Sequence, residues 1–162
     1  MLRFLILVGG LALAFIGLGL NWISIPEESI NANGFETLSL ASAFLIVLAL
    51  GVFMIFYFKP LAQRILASLL ALITVYLIFI SANSLLNFQP ILDRLLSVTG
   101  AIGTNPPVSF QSANISVYFI GLAVYAVGNV FVLVKPRQSK GAKRISSKND
   151  GDDPIGIWDS QS

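Results

Sequence analysis

The sequence contains no cysteine and no histidine. The first absence excludes disulfides, thiolate metal sites, cysteine nucleophiles and a lipidated cysteine; the second removes the side chain most used as a general base near pH 7. Charge is also scarce, at 11% of residues where a soluble domain carries about a quarter. Ten Lys and Arg against eight Asp and Glu leave a net +2, too small a field to define a nucleic-acid binder. What remains is apolar: 56% of the 162 residues are hydrophobic, and the mean hydropathy is +0.82. A water-soluble globule is excluded by this balance, and no cofactor or metal site is expected.

A helix crosses about 30 Å of hydrocarbon with about 20 apolar residues, and four stretches meet that length: 2–23, 37–58, 61–83 and 117–134. Their only charges are Arg3 and Arg64, each near the start of its span. The expected fold is therefore all-α, a polytopic membrane protein with a four-helix domain over 1–134 and a tail over 135–162. Arg3 followed by an apolar run also fits a signal peptide, but the run is too long and no small-x-small site precedes a polar start, so the first helix is read as retained.

Short cytoplasmic loops collect Lys and Arg. With the N-terminus inside, the inner side holds Arg3, Lys59, Arg64, Lys135, Arg137, Lys140, Lys143, Arg144 and Lys148, and the outer side only Arg94. Both termini are thus expected in the cytoplasm, with the chain in a bacterial plasma membrane. Lys59-Pro60 is the whole connection between spans two and three, which makes them a tight antiparallel hairpin. Asn33-Gly34 is a turn signal before span two. In the outer loop 84–116, Pro90 can open a helix. Ile91, Leu92, Leu95 and Leu96 then share one face, so 90–99 is expected to lie as a short amphipathic helix on the outer membrane surface. Asp93 and Arg94, on its other face, are read as an ordinary surface ion pair. Asn114-Ile115-Ser116 matches a glycosylation acceptor and is taken as chance. Trp22 is expected to anchor at the interface.

Small residues mark contact faces between membrane helices. The stripes are Gly10, Ala14 and Gly17; Ser39 and Ala43; Ala67, Ala71 and Thr74; and Gly121 with Gly128. The candidate polar contacts inside the bilayer, to other helices or to a solute, are Tyr76, Tyr125 and Asn129, with Asn129 expected to bond a neighbouring helix near Gly9 and Gly10. No span carries a charge at its middle, which argues against ion-coupled transport.

From Lys135 to Lys148 the tail is basic, a topology signal that also suits anionic lipid heads, and from Asp150 it turns acidic. Such a composition is expected to be disordered. Ile155, Ile157 and Trp158 stand out in it as either a docking motif for a protein partner or a contact with the membrane surface.

Taken together, Asn21-Trp22-Ile23-Ser24 at the end of span one, Asn33-Gly34, the basic turn Lys59-Pro60 to Arg64, Gly121 with Gly128, and a basic-then-acidic tail ending near Trp158-Asp159 resemble the actinobacterial tryptophan-biosynthesis-associated membrane proteins. Lys135-Pro136-Arg137 stands where members of that family often carry a second Trp. The resemblance implies a four-span fold and a link to tryptophan biosynthesis, and it carries no catalytic residues. The function expected is a non-enzymatic accessory or scaffold protein acting through a cytoplasmic or membrane protein partner. A small transporter or exporter subunit for an aromatic or amphipathic solute, working as a homo-oligomer, is the alternative.

Overall fold

The computed structural model describes residues 2–99 and 106–134. Four helices in it are long and apolar enough to cross a membrane: α1 (Leu2–Gly19), α3 (Ser39–Tyr57), α4 (Pro60–Leu86) and α6 (Ser112–Val134). The chain is an all-α, multi-pass membrane protein. The tail 135–162, with Ile155, Ile157 and Trp158, lies outside the described residues.

Three boundaries differ by three residues or more from those expected on sequence, one of them the end of α4, which runs to Leu86 instead of 83. The first helix stops at Gly19, and Asn21–Ile25 forms strand β1 instead of a last helical turn. β1 pairs antiparallel with β2 (Ile30–Asn33) on one side and with β3 (Ser109–Phe110) on the other, giving the order β2-β1-β3. Hydropathy cannot separate these states, because Trp22, Ile23 and Ile25 are apolar in either; their β-branched and aromatic character favours the strand. At the other end α6 begins at Ser112, five residues before the expected span, and the Ser116 hydroxyl bonds the Ser112 carbonyl at 2.8 Å.

The register of β1 on β2 shifts between Asn21 and Ile23, so Trp22 is an extra residue in the strand. A bulge of this kind re-aims a side chain, and it explains why the consecutive residues Trp22 and Ile23 are both fully buried. Trp22 is therefore not an interfacial anchor. Its indole N–H donates at 2.7 Å to the Gly17 carbonyl near the end of α1, which also accepts from the Leu20 N–H at 3.3 Å, and its ring lies 5.4 Å from that of Tyr118.

Asn33 and Gly34 are a helix start, not a loop turn. The Asn33 side chain accepts from the Glu36 N–H at 3.0 Å while the Glu36 carboxylate accepts from the Asn33 N–H at 2.9 Å, a reciprocal cap on the short helix α2 (Gly34–Thr37). The expected amphipathic helix is present as α5 (Gln89–Thr99), with Leu92 and Leu96 buried, Ile91 and Leu95 half-buried, and Asp93 and Arg94 exposed.

The bundle is built on one seam. α1 and α6 run antiparallel, and Gly17 faces Tyr118, Ala14 faces Gly121, Gly10 faces Tyr125 and Leu7 faces Gly128. A Cβ on Gly10 would stand 2.6 Å from the Tyr125 nitrogen, and one on Gly121 would meet the backbone of Ala14 and, at 2.8 Å, the Gly10 carbonyl oxygen. Two of the small-residue stripes thus hold α1 and α6 in backbone contact, as packing without a hydrophobic drive requires. α4 turns Gln63, Ala67, Leu70, Thr74, Leu77 and Ser81 inward, so its stripe is partly as expected; Ala71 is half-buried. The stripe Ser39 and Ala43 is not a contact face. Both residues are exposed, and α3 packs through Ala41, Leu45, Leu48, Val52 and Ile55. Small residues facing lipid look the same in sequence as small residues facing a helix.

Candidate functional site

The polar side chains inside the bundle are placed by the inward faces of α4 and α6. Each hydroxyl among them bonds within the chain: Tyr125 donates to the Leu48 carbonyl of α3 at 3.1 Å, Tyr118 and Ser81 share a bond of 3.0 Å, and Thr74 donates to the Leu70 carbonyl at 2.7 Å. Gln63 donates from its amide to the Phe58 carbonyl at 2.9 Å, closing the hairpin turn beside Lys59-Pro60. The Tyr125 and Tyr118 bonds tie α6 to α3 and to α4, respectively.

Of the three residues singled out inside the bilayer, only Tyr125 makes the expected bond to another helix. Asn129 is fully buried, but its amide donates to the Tyr125 carbonyl of its own helix at 3.2 Å and its Oδ1 has no partner. The expected bond to a neighbouring helix is not formed. Tyr76 is 52% exposed on the outer surface of α4, its ring 5.9 Å from Phe44. Tyr76 and Tyr125 therefore do not face one passage.

A cavity among the described residues lies where the sequence alone marks no site. At the sheet end of the bundle the first turn of α3, the last turns of α4 and the start of α5 enclose an open cleft of about 260 Å³. Leu77, Ile80 and Ile91 supply apolar walls, and Thr37, Ser39, Ser81, Ser84 and Arg94 supply polar groups. Thr37 and Ser81 are already engaged, the first with the Asn33 carbonyl at 2.8 Å. The hydroxyls of Ser39 and Ser84 bond no described residue. The expected ion pair between Asp93 and Arg94 is absent: Asp93 accepts from the Gln89 amide at 3.2 Å, one turn back on the helix, and Arg94 makes no ion pair with any described residue. Neighbouring positions on a helix point about 100° apart, so Arg94 turns toward the cleft while Asp93 turns to Gln89. The available signal in the sequence is Pro90, which sits in the first turn of α5 and lines the cleft at the end of the α3–α4 hairpin away from Lys59-Pro60.

A second recess, of about 20 Å³ between Arg3, Ile55, Phe56, Gln63 and Val132, has room for about one water. Asn114, in the glycosylation-like triplet, uses its side-chain nitrogen to donate to the Asn21 carbonyl at 2.7 Å, pinning the start of α6 to β1. No family model, curated protein or solved structure matches the chain.

Proposed function

We propose that this chain is a non-catalytic accessory or scaffold protein of the bacterial plasma membrane, with both termini in the cytoplasm, and that it acts through its tail. The observation that carries this reading is that Tyr118 and Tyr125, the buried hydroxyls a solute would need, are bonded to Ser81 and to the Leu48 carbonyl as bundle ties. The nine-to-one division of basic residues supports that orientation. The resemblance to the actinobacterial family adds tryptophan biosynthesis as the process served. Ile155, Ile157 and Trp158 are the residues assigned to partner docking. A chain lacking 150–162 should still insert and fold but behave as a null in cells; wild-type behaviour of that truncation counts against the reading.

The cleft at the sheet end favours one second reading, a small exporter subunit for an aromatic or amphipathic solute, active as a homo-oligomer. Efflux assays on Ile80→Trp and Ser84→Trp, which fill the cleft, separate the two. The exporter reading requires altered flux in at least one variant, and the accessory reading requires none.

A further inference from the structure

The cleft between α3, α4 and α5 has a place in the bilayer. Arg64, exposed near the start of α4, sits at one membrane surface, and about 30 Å of hydrocarbon at about 1.5 Å per residue then reaches about 20 residues further, to Ser84. Leu77 and Ile80 therefore lie at acyl-chain depth, while Ser39, Ser84 and Arg94 lie at the level of lipid phosphates. Leu40, which lines the cleft, is 61% exposed. Its volume, about 260 Å³, falls below the range of about 300–1,000 Å³ that encloses a drug-sized solute, so it admits part of an amphiphile and leaves the remainder in the bilayer.

We propose that this cleft binds one anionic phospholipid of the leaflet at the sheet end, with Arg94, Ser39 and Ser84 around the phosphate and the first chain segment against Leu77 and Ile80. The charge lining the cleft decides the class of lipid: Glu27, Glu36 and Asp93 stand at the same end of the bundle, but Arg94 is the one charged residue that lines the cleft. Arg94 is the only basic residue among the described residues at that end of the bundle, it has no carboxylate partner there, and a guanidinium fork matches phosphate oxygens in pairs. The two serines supply hydroxyl donors that no described group takes up. A zwitterionic lipid would bring its own cation against Arg94.

The test uses the full chain in nanodiscs of phosphatidylglycerol and phosphatidylcholine, with a photoreactive benzoylphenylalanine at Leu40 and an alkyne tag on one lipid class at a time. Crosslinking to phosphatidylglycerol should exceed that to phosphatidylcholine by about fivefold, the worth of one basic side chain at an anionic lipid surface. Arg94→Gln should remove the preference, Arg94→Lys should keep part of it, and Arg64→Gln at the other surface should leave it unchanged. Ser84→Asp, which puts a negative charge into the cleft from a different helix, should remove it as Arg94→Gln does. Equal crosslinking of the two lipids, a preference that survives Arg94→Gln, loss of the signal to excess soluble glycerol phosphate, or a crosslink between two copies of the chain would each overturn the proposal.

Discussion

Adding one methyl group at Gly121 tests whether the α1–α6 seam depends on backbone contact. A Cβ there would lie 2.8 Å from both the Ala14 Cα and the Gly10 oxygen, and closer still to the Ala14 nitrogen. Ordinary contact lies near 3.5–4.0 Å, so the helices must part by about 1 Å. All of the opposing atoms are main chain and cannot rotate away. Parting by that distance forfeits about a quarter to a half of each dispersion contact along the seam. Overpacking a well-filled core costs about 1–3 kcal/mol, and the absence of a yielding side chain puts Gly121→Ala at about 3 kcal/mol, or more than about 100-fold in the unfolding equilibrium. Gly9, on α1 beside the seam, has open space where a side chain would begin, with nothing within 4 Å of a Cβ; Gly9→Ala should be neutral or slightly stabilising through helix propensity. Titration with a denaturing detergent, followed by Trp22 emission with Trp158 replaced by Phe, reads the difference directly. Equal midpoints for Gly121→Ala and wild type, or an equal loss for Gly9→Ala and Gly121→Ala, would refute the reasoning.

Other substitutions separate ties from bystanders. Tyr125→Phe removes the bond to the Leu48 carbonyl and should lower stability by about 1 kcal/mol, within the range for such bonds in membranes, whereas Tyr76→Phe on the exposed face should stay within about 0.5 kcal/mol; the same titration checks both. Asn129→Leu should leave stability at or above wild type by up to about 1 kcal/mol, because it removes a buried acceptor with no partner, and a clear loss would show a bond between helices that the geometry lacks. Asn33→Ala opens the α2 cap and should cost about 1 kcal/mol, read as faster amide exchange at Glu36 and Thr37.

The spans were legible because the bilayer imposes a length and a polarity that composition reports directly; so was α5, whose four apolar residues share a face by spacing alone. The seam was legible in part, since Gly10, Ala14 and Gly17 recur at helical intervals, but Ser39 and Ala43 recur equally well and face outward. β1 was hidden because an apolar strand that continues an apolar helix leaves the hydropathy unchanged, and the bulge at Trp22 breaks the alternation that would mark a strand. The cleft was hidden for a different reason. It is assembled from three elements, and its one cation looked paired because Asp93 adjoins Arg94 in sequence, while the helix turns the two apart and gives Asp93 to Gln89.

The lack of cysteine supplies a clean reporter, since any introduced cysteine is the only one present. Single cysteines at Ser109 in β3, at Lys59 in the hairpin turn and at Leu48 beside Tyr125, probed with a membrane-impermeant maleimide, test the orientation and the closed bundle together. The account predicts labelling of Ser109→Cys in intact cells, of Lys59→Cys only after permeabilisation, and of Leu48→Cys under neither condition. Labelling of Lys59→Cys from outside, or of Leu48→Cys from either side, would contradict it.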